Sequence, residues 1–262
     1  MTRFRFGWLQ IVLGLVLLAI AISWRGVMWV MAWPALAVIV IGFGYLGLGP
    51  SIFGKQPDGS LQPLRALVLL PYHVVAFLRM HWDAWRHQED AWNEVAPGLY
   101  LGRRTMGALP SETRVVVDLT AELPAIRGVK ASVETGVLRY FVLPTLDATA
   151  PEDVAFARLV EDIAAQEGVI FIHCAAGHGR SATLAAALVV ARALAIDAKS
   201  AEAHLKLARP LVHLHREQRA LVDRFAESHA RQNKLPVSLA GQKLLVSLAG
   251  QTPVSLTAKD ST

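Results

Sequence analysis

The stretch Val169-Ile170-Phe171-Ile172-His173-Cys174-Ala175-Ala176-Gly177-His178-Gly179-Arg180-Ser181 decides the reading of this chain. Its first four residues are apolar and read as a buried strand, and the alanine- and leucine-rich run 181–195 reads as a buried helix. Between them, a turn of small residues joins the chain's only cysteine to an arginine. Successive backbone N–H groups in such a turn can converge on one anion, and the start of a helix adds positive potential at the same point. That field favours the thiolate of Cys174, a competent nucleophile at neutral pH. Arg180 supplies a planar fork that grips two phosphate oxygens at once. Gly177 and Gly179 permit backbone angles that let the loop curl round the anion. Ser181 can hydrogen-bond the sulfur and favour it as a leaving group. The plain alternative makes Cys174 a small buried apolar residue and Arg180 a surface cap. It leaves the glycines and the strand-to-helix setting unexplained.

HCAAGHGRS at 173–181 resembles the H-C-x-x-G-x-x-R-[ST] signature of the protein tyrosine and dual-specificity phosphatase superfamily. NEVAPGLYLG at 93–102 and VVVDLTAE at 115–122 resemble the first two strands of small dual-specificity domains, so the resemblance covers roughly residues 93–232. It implies an α/β fold, a dual-specificity-phosphatase-like central sheet flanked by helices, and a phosphocysteine mechanism that asks for no cofactor or metal. On the matching positions it implies Cys174 as nucleophile and Arg180 as phosphate clamp, with Ala175, Ala176, Gly177, His178, Gly179 and Ser181 lining the substrate phosphate. His173 then orders the loop from behind, unless it is simply a satisfied core histidine. The family's general acid is an aspartate on an upstream loop. Asp147 in Leu143-Pro144-Thr145-Leu146-Asp147-Ala148 is the candidate, with Glu152 and Asp153 as rivals. Asp118 is expected to be structural, and Arg209, Pro210 and Gln218 to serve packing.

The rest of the soluble part agrees with alternating strands and helices. Short strands are expected at 98–102, 115–119 and 140–143, and helices at 152–165, 201–208 and 216–231. From Leu235 the chain repeats itself, with VSLAGQ at 237–242 and again at 246–251. Two copies cannot stack into a solenoid, so residues 233–262 are expected to form a disordered tail.

Ahead of this domain the sequence changes character. Residues 6–24 carry no charge, and after Arg25 a second uncharged run extends through Pro50. Each suffices to cross a bilayer, which needs about 20 residues. The expected organisation is a transmembrane helical hairpin at 1–54, a linker at 55–92 and the phosphatase domain at 93–232. Trp24, Trp29 and Trp33 near the turn suit a membrane interface. Arg3 and Arg5 precede the first run, and Lys55, Arg65, Arg79 and Arg86 follow the second. The positive-inside rule then puts both termini and the catalytic domain in the cytoplasm, on an inner or plasma membrane. The run 66–78 is too short to cross and holds Pro71. It reads as an interfacial helix, or as one packed on the domain.

Hydrophobic residues make up 53% of the 262, in keeping with a lipid-facing part. A single cysteine excludes an intramolecular disulfide. The formal charge of +5 would suit nucleic acid, but the basic residues are scattered and no nucleic-acid motif is present. The short segment 102–115 implies a shallow pocket, which fits phosphoprotein or phospholipid substrates alike. His178, or the basic Arg103, Arg104, Arg127 and Lys130, could meet a second anionic group. A phosphate-binding scaffold without activity is the reading from another class, and the intact Cys174 and Arg180 argue against it.

Overall fold

The computed structural model describes residues 3–24 and 26–234; the expected tail from Leu235 onward lies outside them. The chain divides into two compact units, 1–226 and 227–262. Of the second, only the end of one helix is described, where Arg231 pairs with Glu227.

The first unit opens with helix α1 (Arg3–Trp24), a 3-10 turn (Gly26–Met31), helix α2 (Ala32–Phe43), a π turn (Gly44–Leu48) and a second 3-10 turn (Gly49–Phe53). Residues 3–24 and 28–53 are long and apolar enough to cross a membrane. α1 and α2 pack closely because a glycine on each makes room for an isoleucine on the other. A Cβ on Gly14 would lie 2.4 Å from Ile39 Cγ1, and one on Gly42 would lie 2.6 Å from Ile11 Cγ1. The opposite faces expose Trp8, Val12, Leu15, Leu36 and Phe43. Trp33 Nε1 donates to Val68 O at 3.1 Å, so this tryptophan ties α2 to the next segment.

That segment departs from expectation. A short helix α3 (Pro63–Val68) ends at Leu69, and a longer helix α4 (Leu70–His87) begins there. Pro71 falls in the first turn of α4, where its missing N–H costs nothing, so it starts a helix rather than limiting one. Trp82 and Trp85 therefore lie on α4, exposed together with Val75 and Leu78, while Leu69 and Met80 are buried.

The sheet consists, among the described residues, of β1 (Trp92–Ala96), β2 (Leu99–Arg103), β3 (Thr113–Thr120), β4 (Arg139–Thr145) and β5 (Val169–Cys174), in the order β1-β2-β5-β3-β4. β1 is antiparallel to β2 and the other pairs are parallel. Helices α5 (Val129–Glu134), α6 (Asp153–Ala164), α7 (Arg180–Ala191), α8 (Ala198–Ala208) and α9 (Arg216–Lys234) complete the order. Alternation along β5 puts Ile170, Ile172 and Cys174 in one core cluster with α7, and Phe171 in the cluster on the other face. α7 is buried from Arg180 through Val190, and each of its leucines and valines contributes about 2 kcal/mol by leaving water. The helix stops four residues earlier than its composition suggests. Ala193 takes a left-handed φ of 57°, and Leu194 N–H reaches back to Val189 O at 3.0 Å, a closure normally made with glycine.

Candidate active site

β5 delivers Cys174 at the strand end, 3% exposed, and α7 begins at Arg180. The sulfur accepts hydrogen bonds from Gly177 N–H and from Ser181 Oγ, both at 3.2 Å. Every carbonyl of the loop between them is tied to the surrounding protein. Arg104 N–H donates to Cys174 O at 2.8 Å and to Ala175 O at 3.3 Å, and His213 N–H donates to His178 O at 3.0 Å. Arg209 donates to Ala176 O at 3.3 Å and Gly177 O at 3.0 Å. Gly179 O accepts from Thr183 N–H at 2.8 Å, as α7 begins. Because a peptide is planar, carbonyls fixed outward turn the following N–H groups to the inner side, where the sulfur lies. Gly177 is required here: its φ is +81°, and a Cβ would lie 2.5 Å from the Gly102 carbonyl carbon on β2.

Arg180 is held by Glu122, a residue the sequence reading did not single out. Its two terminal nitrogens meet the two carboxylate oxygens at 2.8 Å each, and Nη1 also donates to Thr145 O at 2.9 Å. Nε lies 3.5 Å from Asp147 Oδ1. Burial works against the charge of Arg180, but the carboxylates of Glu122 and Asp147 outweigh it and raise its pKa well above the ordinary value. The guanidinium is thus charged and held in a fixed orientation. Arg209, expected to serve packing, is fully buried and also meets Glu89 at 2.7 Å and Asn93 Oδ1 at 2.9 Å. It is the brace that fixes the far side of the loop.

His178, read as a contact for a second anion, has its imidazole engaged by Glu89 at 2.5 Å. Burial lowers its pKa, with Glu89 pulling the other way. Among the basic residues considered for the same role, Arg104 donates to Pro124 O and Ala125 O, and Lys130 pairs with Asp58. Both are structural.

Behind the loop lies a buried polar layer. His173 stacks on Phe171 and pairs in register with Asp118 across β5 and β3, its Nδ1 4.0 Å from Asp118 Oδ1. Burial pushes its pKa down to about 4, against the pull of Asp118. Asp118 accepts from Thr120 Oγ1 at 2.7 Å, Tyr140 Oη at 2.8 Å and Lys55 Nζ at 2.6 Å. Burial opposes its charge, but Lys55, His173 and these bonds together hold its carboxyl at about 2. Lys55, counted above among the basic residues flanking the apolar run, is in fact buried in this layer, also donating to Thr120 Oγ1 and Leu123 O.

Asp147 follows β4, its side chain 72% exposed. The rivals are placed differently. Asp153 is locked by Arg224 at 2.6 and 2.7 Å, which lowers its pKa, and Glu152 stands at the cap of α6. The hairpin reaches this loop, with Tyr45 Oη donating to Asp147 O at 3.2 Å. Tyr45, Ile41, Phe53 and Leu69 share one apolar cluster with Ala121 and Leu146, the neighbours of Glu122 and Asp147.

Residues 105–235 match the family model described as Swiss Army Knife protein, DSP-PTPase phosphatase domain. The chain belongs to this family. It is therefore a cysteine-dependent phosphatase of dual-specificity type, a phosphoric monoester hydrolase. No match was found among curated proteins. Solved structures similar in fold to this DSP-PTPase include PTPMT1 in complex with PI(5)P, at 16% identity and a TM-score of 0.48, over 55% of this chain and 99% of that one. Human DUSP28 is 19% identical with a TM-score of 0.45, over 53% and 95% of the two chains. Tk-PTP in the active form is 23% identical with a TM-score of 0.43, over 52% and 97%.

Proposed function

We propose that this phosphatase is membrane-anchored and works through Cys174, Arg180 and Asp147. The thiolate attacks phosphorus and forms the P–S bond as the P–O ester bond breaks, while Asp147 gives its proton to the leaving oxygen. Asp147 then takes a proton from water, whose oxygen attacks phosphorus and expels the thiolate with release of inorganic phosphate. Ser181 Oγ, 3.2 Å from the sulfur, stabilises the departing thiolate. Loop N–H groups and the Arg180 fork hold the equatorial phosphate oxygens through both steps. The observation that carries this reading is the loop whose carbonyls are all engaged away from the sulfur.

In this proposal α1 and the segment 28–53 span the bilayer, and the arginines flanking them keep the catalytic domain on the cytoplasmic face of an inner or plasma membrane. The substrates are phosphoproteins at that surface. One observation favours a phospholipid as a second reading. A cleft of about 900 Å³ beside Asp147 is walled by Arg3, Arg5 and Phe6 of α1, by Tyr45 and by Arg216, which suits an anionic headgroup arriving from the bilayer.

The test is phosphate release by the detergent-solubilised full chain from parallel phosphopeptide and phospholipid panels, with Cys174→Ser as the blank. Turnover of phosphopeptides supports the first substrate reading, and preference for lipid supports the second. Silence on both panels overturns the catalytic assignment. Cys174→Ser should lose at least about a thousandfold in kcat while still binding vanadate.

A further inference from the structure

The loop that carries Asp147 is strained. The residue after it, Ala148, has a φ of +58°, a left-handed conformation that costs a non-glycine residue about 1 kcal/mol. Such a turn persists only where its surroundings hold it. Thr149 closes it from within, its Oγ1 donating to Leu146 O at 2.9 Å, and Gln218 Nε2 holds Thr149 O at 2.9 Å. Neither bond touches the peptide that joins Asp147 to Ala148. That peptide's carbonyl is held by Tyr45 Oη, from a residue 102 positions away in the π turn that follows α2. Tyr45 is buried, and the ring of Phe6 on α1 packs edge-on against it with centroids 4.6 Å apart. The hairpin therefore presents this one tyrosine, with α1 packed against its ring.

We infer that Tyr45 is a positioning residue for the general acid, so that the membrane hairpin completes the active site rather than merely tethering it. The inference rests on the assignment of Asp147 as the acid. With the side chain of Asp147 largely in solvent, its aim is set by its backbone, and the hydroxyl of Tyr45 fixes the orientation of that peptide. Proton transfer needs the acid within hydrogen-bond reach of the leaving oxygen, and small misplacements are costly. Attack by Cys174 on an ester with a weakly basic leaving group needs no such help.

The experiment compares the full chain with Tyr45→Phe, Asp147→Ala and the double variant, on aryl phosphates whose leaving groups span a wide range of basicity. Tyr45→Phe keeps the ring on Phe6 and removes only the donor. Its kcat should fall about tenfold on strongly basic leaving groups and stay near wild type on weakly basic ones, with KM unchanged. In the Asp147→Ala background it should have no further effect. Phe6→Leu, which loosens the ring but keeps the hydroxyl, should give the same leaving-group signature at smaller amplitude.

Equal loss on all leaving groups, or none, in both Tyr45→Phe and Phe6→Leu overturns the inference while leaving Asp147 as the acid. Additive losses in the double variant overturn it as well. If Asp147→Ala itself lacks leaving-group dependence, the acid assignment fails and the role of Tyr45 falls with it.

Discussion

The phosphate loop draws all its carbonyl partners from within the soluble part of the chain, whereas the peptide after Asp147 is gripped by a tyrosine of the apolar hairpin. The two loops meet at Arg180, yet one is buried and over-determined while the other is exposed and strained. On the roles proposed above, binding and protonation are built from separate parts of the chain, the anion site from the sheet and α7 and the aim of the acid from the hairpin.

The comparison breaks first at Arg180. Arg180→Lys keeps the charge but cannot fill both oxygens of Glu122 while presenting a fork to phosphate, and it leaves a buried carboxylate half satisfied. It should cost about a hundredfold or more in kcat/KM, across all leaving groups alike, which steady-state assays on the same aryl phosphates would reveal. Selectivity for basic leaving groups in that variant would blur the separation of the two loops.

A second contrast concerns pH. His173 lies buried behind the phosphate loop with its pKa depressed from 6.5 to about 4. The unfolded chain therefore takes up this proton at higher pH than the folded one. The stability it contributes is full above about 6.5 and is lost as pH falls from there toward 4, at up to about 1.4 kcal/mol per pH unit. Unfolding followed between pH 7 and 5 should show the loss, and His173→Asn should flatten it. A variant curve as steep as wild type would place the titration elsewhere.

The smallest expected effect sharpens the acid loop. Ala148→Gly relieves the left-handed strain but frees the unfolded chain, so stability should move by no more than about 0.5 kcal/mol. A looser turn should lower kcat about twofold, only for basic leaving groups. A large loss would mean that the alanine side chain itself contributes.

The phosphate loop was legible because its chemistry is contiguous: strand, cysteine, glycines, arginine and helix follow one another in 169–195. Its supports were not. Glu122 meets Arg180 across 58 residues, Arg209 meets Gly177 across 32, and Lys55 meets Asp118 across 63, and no periodicity encodes such pairs. β1 is short and irregular, with its register shifting between Glu94 and Ala96, so alternation gave no signal. The end of α7 was hidden because an alanine occupies the left-handed position where a glycine would have announced it. The helix α4 runs past the apolar stretch 66–78 as far as His87, because Pro71 stands in its first turn and the polar residues after Leu78 continue it.

The ammonium of Lys55 bears on the order in which the protein is made. Lys55 is synthesised 63 residues before Asp118, so the cation must wait for a carboxylate still to be made. A chain that begins after Lys55 would close its sheet over an acid that lacks this counter-charge, at a cost of about 3 to 5 kcal/mol. Removing the segment up to and including Lys55 would therefore yield a weakened domain rather than a freed enzyme.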